Sequence, residues 1–130
     1  MKPVYHRILL KLSGEGLAGE NKNGIDSSVV ARLAREIAQG RDLGTQICVV
    51  IGGGNFFRGA KNAASFMDRS VADQIGMMAT MMNALALKAA LDNIKCPAVI
   101  YSGLNMPQVS EPYCFEKAYR SVERGDVVIF

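Results

Sequence analysis

Tryptophan is absent from this 130-residue chain, histidine occurs once (His6) and cysteine three times, at Cys48, Cys96 and Cys114. The cysteines have no metal-ligand spacing, and Cys48 stands inside an apolar run, where a thiol behaves as a small buried hydrophobe. That usage argues against a disulfide-stapled secreted scaffold and fits a reducing compartment, so a cytoplasmic location is expected. No apolar run reaches the length of a membrane span, and no membrane partner is expected. The opening MKPVYHRILLKL breaks its apolar stretch with charges and lacks a small-residue cleavage site, so it does not read as a signal peptide. Lysine and arginine total 15 against 12 acidic residues, a net charge of +3 with no basic run or stripe, and a nucleic-acid substrate is not expected. The phosphate-loop pattern GxxxxGK[ST], the nucleophile elbow GxSxG and HxxxH are also missing.

What is present is an alternation of short branched-apolar runs with longer helical periods. RILLKL (7–12), QICVVI (46–51), PAVIY (97–101) and DVVIF (126–130) read as strands covered on both faces. Between them the spacing predicts helices over about 28–43, 69–93 and 112–124. In the first, Val30, Leu33, Ile37 and Ala38 share a face, Asp26 or Ser27 can cap the start, and Gly44 can close the end. In the second, Ile75, Met78, Met82, Leu85 and Ala89 recur at three and four. Pro112 suits the first turn of the third, and Gly125 follows its end. Strand–helix–strand repeated in this way predicts one α/β domain over 1–130, built on a parallel sheet with right-handed crossovers.

Two glycine-bearing segments follow strands: KLSGEG (11–16) and GGGN (52–55). In parallel α/β sheets ligands bind beyond the carboxyl ends of the strands. Glycine there permits positive φ and lets successive N–H groups converge on an anion without a Cβ in the way. Each loop alone is an ordinary tight turn. Together, with Lys11 and Arg58 close in sequence, they suggest two walls of a phosphate pocket. No acidic residue closes the second strand, which disfavours a dinucleotide fold.

These residues carry a resemblance. KLSGE, IGGGNFFRG and DRSVADQIGMMATMMNALAL, in that order and spacing, together with the opening KPVYHRILLKLSGE, closely resemble the bacterial UMP kinases of the amino acid kinase family. The likeness runs over the whole chain. It implies a three-layer α/β/α sandwich of the carbamate kinase-like type and the reaction ATP + UMP → ADP + UDP. It also implies that 1–130 form the N-terminal, UMP-side portion of a longer fold whose ATP-side portion lies outside this sequence. Such a piece is expected to bind nucleotide poorly, not to turn over, and to expose apolar surface.

By the same resemblance, Lys11 and Arg58 are the catalytic cations, and Lys11, Leu12, Ser13, Gly14, Gly54 and Arg58 face ATP. Gly53, Arg58 and Asp73 face UMP, with the Asp73 carboxylate accepting from the ribose hydroxyls. The turn-forming stretch Gly19, Glu20, Asn21, Lys22, Asn23 and Gly24 corresponds to a segment that takes part in activation by GTP, although its composition departs from relatives. UTP is the implied inhibitor, and a homohexamer the implied assembly. Mg2+ accompanies ATP, with no protein ligand identified. The nucleophile is a phosphate oxygen, whose second pKa of about 6 leaves it largely deprotonated at neutrality. Catalysis is then positioning and charge stabilisation, which needs no His or Cys centre.

MMATMM (77–82) reads as packing rather than a cofactor box, in the core or between subunits. Two other readings share the glycine loops. One is an amino acid kinase family member acting on a carboxylate or carbamate, which would not need Asp73 beside Arg58. The other is a non-catalytic nucleotide-binding or storage protein of the same fold.

Overall fold

The computed structural model describes residues 2–57 and 65–130. Five strands, β1 (Arg7–Leu12), β2 (Gln46–Ile51), β3 (Ala98–Ser102), β4 (Glu111–Pro112) and β5 (Val127–Ile129), form one sheet in the order β1-β2-β5-β3-β4. Every pairing is parallel, and β1 runs alongside β2 from Arg7 opposite Gln46 to Leu12 opposite Ile51. All strands therefore end on the same edge.

Helix α1 (Gly14–Leu17) is a single turn after β1, followed by a 3-10 turn at Gly19–Asn21. Helix α2 (Ser27–Asp42) starts where the Asp26 carboxylate accepts the N–H groups of Ser28 and Val29, at 2.9 and 3.3 Å. Its buried Val30, Ala34 and Ile37 share one face. Leu33 and Ala38 lie at the margin of that face.

Helix α3 (Arg69–Asn93) is capped by Asp68, which accepts from the Val71 N–H at 2.9 Å. The face it buries differs from the expected one. Ala72, Ala79, Met81, Asn83, Ala84, Leu87 and Leu91 point inward, while Met78 and Met82 are 49% and 45% exposed. The segment is apolar nearly all round, so periodicity marks no single face. Backbone approach decides instead: the small Ala79 lets α3 close on the Gly53 loop, and Ala84 packs into the core against the sheet.

Helix α4 (Phe115–Arg124) begins three residues later than the proline predicts. Pro112 is the last residue of β4, paired with Ser102, where a missing N–H is tolerated at a sheet edge. Gly125 closes α4 at φ 88°, as its position after the helix suggests.

The sheet separates two cores. Alternate side chains Ile47, Val49, Ile51, Ala98, Ile100, Val127 and Ile129 meet α2 and α3 on one face. Cys48, Tyr101 and Val128 meet Ala118 and Val122 of α4 on the other. The result is the expected three layers. The chain moves across the sheet in one sense from β1 to β2 to β3, with α2 and α3 on one face. It continues to the edge strand β4 and only then reverses to β5, with α4 on the opposite face, as right-handed crossovers require.

Expected burial on both faces holds for β5, whose three residues are all buried. It fails for β1, which alternates exposed and half-buried residues. Leu9 is 63% exposed, and Val50 on the neighbouring strand is 36% exposed. The α4 layer ends before it reaches them, apart from the Arg7 guanidinium lying 5.0 Å from the Tyr119 ring centre. Cys48, Cys96 and Cys114 are all free, and burial pushes the Cys48 and Cys96 thiols above their ordinary value. Among the described residues no helix is long and apolar enough to cross a membrane.

Candidate active site

Adjacent strands β1 and β2 deliver the two glycine loops side by side. The Gly52 N–H donates to the Leu12 carbonyl at 2.9 Å, extending the ladder by one bond before the chains part. Gly14 then lies directly beneath the 52–55 loop. A Cβ placed on Gly14 would stand 2.6 Å from both Asn55 Oδ1 and the Gly54 nitrogen, and 2.8 Å from the Gly52 oxygen. On its other side the loop rests on α3: a Cβ on Gly53 would meet Ala79 Cβ at 2.8 Å, and the Gly76 oxygen and Thr80 nitrogen at 3.0 Å.

Neither position uses positive φ, and neither do Gly52 and Gly54. The expectation that these glycines serve a left-handed backbone is therefore corrected. Gly14 and Gly53 are glycines because three backbones approach each other there too closely for a side chain. Ser13 caps α1, its Oγ accepting from the Gly16 N–H at 3.1 Å, which leaves the hydroxyl hydrogen free to donate outward. Among the described residues, the N–H groups of Gly53 and Gly54 meet no hydrogen-bond acceptor. Unpaired consecutive donors at the end of a strand form a concavity suited to an anion.

Gly14, Gly16 and Gly19 stand at GxGxxG spacing, which a dinucleotide fold would place before its crossover helix. Here they frame a four-residue helix and a 3-10 turn, and the crossover helix starts only at Ser27. The dinucleotide geometry is not built.

The remaining predicted residues fall as follows. Lys11 is the penultimate residue of β1, exposed, and without an ion-pair partner among the described residues. Leu12 follows it, half-buried against the core. Asp73 sits one turn into α3, 66% exposed, with its carboxylate 4.0 Å from the Arg69 guanidinium. It precedes Gly76 by one turn, so the ridge carrying Asp73 runs onto the helix segment that touches Gly53. Arg58 lies outside the described residues. The 19–24 stretch turns tightly, with Lys22 at φ 62° and Gly24 at φ 74°, and it abuts the glycine loop through Gly24, whose N–H donates to the Asn55 carbonyl at 3.0 Å.

A cleft of about 400 Å³ opens beside the loops, between α3 and the ends of β3 and β5. Met77, Thr80 and Met81 form one wall, Tyr101 to Leu104 the other, and Tyr113 and Phe130 the rim. Its place follows from topology. The α3 connection leaving β2 covers one face of the sheet and the α4 connection leaving β4 covers the other, and the cleft opens at the carboxyl ends of the strands between them. The sequence reading missed this wall, and it missed Asn55 and Asn83. An amide within the apolar run MMNALAL was the available signal for the latter.

A parallel three-layer α/β protein with two glycine loops gathered at the strand ends is the class these features define. The chain belongs to the amino acid kinase family, whose model matches residues 6–130. It is 51% identical over 129 residues to the uridylate kinase of Hyphomonas neptunium, covering 99% of this chain and 51% of that protein. Its fold superposes on the crystal structure of UMP kinase from Bacillus anthracis with a TM-score of 0.90 at 36% identity, over 97% of this chain and 52% of the other. UMP kinase from Ureaplasma parvum gives 0.89 at 31% identity, over 97% and 55%. The aspartate kinase of Synechocystis, at 18% identity and a TM-score of 0.66, shares the fold. The chain thus spans about half the length of the relatives it matches.

Proposed function

We propose that this chain forms the UMP-side half of a UMP kinase, in which the γ-phosphoryl group of ATP passes to UMP to give ADP and UDP. The observation that carries the reading is the pair of interlocked glycine loops, with N–H groups at Gly53 and Gly54 that meet no acceptor among the described residues, in a chain 51% identical to a uridylate kinase. In the proposed step a UMP phosphate oxygen attacks the γ-phosphorus, a new P–O bond forms, and the bond to the β,γ-bridging oxygen breaks. Gly53 presents its N–H to the UMP phosphate and Gly54 its N–H to ATP. The Ser13 hydroxyl and the Gly14 backbone hold ATP phosphate oxygens, beside Leu12. Lys11 neutralises charge that builds up on the transferring group. Arg58 grips phosphate oxygens with its planar fork. Asp73 accepts from the ribose hydroxyls.

Magnesium enters with ATP. Among the described residues no group of three or more His, Cys, Asp or Glu side chains is placed to hold a metal, and no step is routed through the ion. In this reading GTP activates through 19–24, UTP inhibits, and the enzyme works in the cytoplasm in pyrimidine nucleotide synthesis. It assembles as a hexamer, and the exposed Met78 and Met82 of α3 suit a subunit contact. The test is a coupled ADP-release assay on the intact protein carrying this sequence, with UMP, CMP and glutamate as acceptors. UMP-dependent ADP release is expected. Release with glutamate instead, or with no acceptor, would overturn the reading.

A further inference from the structure

Asn55 and Asn83 are 1% and 0% exposed. Burying an amide is unfavourable unless its donors and acceptor are matched. These two match each other. Asn83 Nδ2 donates to Asn55 Oδ1 at 2.7 Å, and Asn55 Nδ2 donates to Asn83 Oδ1 at 3.0 Å, closing a ring. Each amide has one N–H left. That of Asn83 donates to the Gly52 carbonyl at 2.7 Å, and that of Asn55 to the Gly24 carbonyl at 2.8 Å. Gly24 returns a bond from its own N–H to the Asn55 carbonyl at 3.0 Å. Reversing either amide would set oxygen against carbonyl oxygen, so the orientation is determined by the network.

Four segments meet at this ring: α3 through Asn83, the second glycine loop through Gly52 and Asn55, the 19–24 turn through Gly24, and Gly14 by contact with Asn55 Oδ1. The bond to Gly52 has a directional consequence. In a planar trans peptide the C=O and the following N–H point in opposite directions. Asn83 draws the Gly52 carbonyl inward, so the Gly53 N–H is aimed away from the helix, and that N–H is one of the two without an acceptor among the described residues.

We infer that the Asn55–Asn83 amide pair is the positioning device of the anion loop and couples it to the 19–24 turn. This rests on the phosphoryl-transfer reading for what the Gly53 N–H binds, but the mechanical coupling does not. Among the described residues Asn83 makes no hydrogen bond to 19–24; its hydrogen-bonded link there runs through Asn55. Removing it frees the Gly52 peptide to rotate and leaves a buried Asn55 donor and acceptor unmatched, which loosens the bonds to Gly24 as well.

The test uses Asn83→Ala, Asn55→Ala and the double variant in the intact protein. Two readouts are taken: KM and kcat for UMP, and hydrogen–deuterium exchange of peptides spanning 19–26. Asn83→Ala is expected to speed exchange in 19–26 about tenfold and to raise the KM for UMP about tenfold with a smaller change in kcat, as loss of one buried charge-free hydrogen-bond pair implies. The double variant should be little worse than the worse single one, because either substitution opens the same ring. Asn83→Asp, similar in shape but unable to donate to Gly52, should be as impaired as Asn83→Ala. Unchanged exchange in 19–26, additive losses, or full function in Asn83→Asp would overturn the proposal. Should Asn83→Ala fail to fold, Asn83→Ser and the same exchange measurement give the decision. A wild-type protein that transfers no phosphoryl group to UMP would remove the function reading, while exchange in 19–26 would still decide the coupling.

Discussion

Gly53 and Gly76 face each other across the junction of loop and helix, and adding one methyl group to each should have opposite effects. At Gly53 the new Cβ would stand 2.8 Å from Ala79 Cβ and 3.0 Å from two backbone atoms of α3, the Gly76 oxygen and the Thr80 nitrogen. Carbon atoms pack best at about 3.5–4.0 Å, so the methyl groups overlap by at least about 0.7 Å. Ala79 is 1% exposed and has no rotamer to change, and the other two contacts are main chain, so the loop itself must lift. Because Gly53 does not use positive φ, none of the effect comes from backbone strain. Overpacking of this kind costs about 1–3 kcal/mol, and with no flexible neighbour the upper part of that range is expected.

Gly76 gives the control. A Cβ there meets nothing within 4 Å, and the residue is inside α3, where alanine is favoured over glycine by about 1 kcal/mol. Gly76→Ala should therefore raise the melting temperature and Gly53→Ala lower it, the two differing by about 2–4 kcal/mol, with each kcal/mol moving the midpoint by about 3–5 °C in a domain of this size. Thermal and urea denaturation of the intact protein measure both. If Gly53→Ala melts with the wild type while Gly76→Ala behaves as stated, close approach is not what requires glycine at 53.

Four further outcomes follow from named contacts. Leu87, wholly buried in the α3 core, should lose about 2–5 kcal/mol on Leu87→Ala by urea denaturation. The Asp26 carboxyl is held below its usual 3.8 chiefly by the hydroxyl of Ser28, then by the N–H groups of Val29 and Ser28. A depressed carboxylate stabilises the fold at neutral pH, and that contribution fades as pH falls below 3.8 through the lowered value, so wild type and Asp26→Ala should converge in melting temperature under acid conditions. On the proposed function, Lys11→Met should reduce kcat by on the order of 10²-fold or more with a smaller effect on KM, and near-normal turnover would remove Lys11 from the catalytic step. Asp73→Ala should lose its preference for UMP over dUMP, since a carboxylate that accepts from the ribose hydroxyls is left unmatched by the deoxy sugar, and an unchanged ratio would place Asp73 elsewhere.

Where residues act through local backbone chemistry, the sequence was a sufficient guide. Asp26 and Gly125 cap helices because a carboxylate and a Cβ-free residue suit those positions in almost any fold. The four strands and their parallel arrangement were legible because branched apolar runs alternate with helical periods. Pro112 misled because the same fixed φ and missing N–H that suit a helix start also suit the last residue of an edge strand, and only the pairing with Ser102 distinguishes them. The buried face of α3 was illegible for a different reason. A helix apolar on most sides carries no period, and what turned Ala79 inward was the close approach of the Gly53 loop.

The same tertiary cause explains why the site was half visible. Its glycines could be found, but the reason offered for them was conformational freedom, a property of one residue. Their actual constraint is mutual: Gly14 is small because Asn55 and Gly54 cross it, and Gly53 is small because Gly76, Ala79 and Thr80 lie against it. Asn83 belongs to this group although it is 31 residues from Gly52, since its amide occupies the place where an apolar side chain would leave the Gly52 carbonyl unmatched. On the proposed function the anion donors include main-chain N–H groups, and such a site has few side chains through which to display its chemistry. What it displays instead is the packing that orients those peptides, and that packing appears in sequence as small residues and amides where a hydrophobic pattern would otherwise continue.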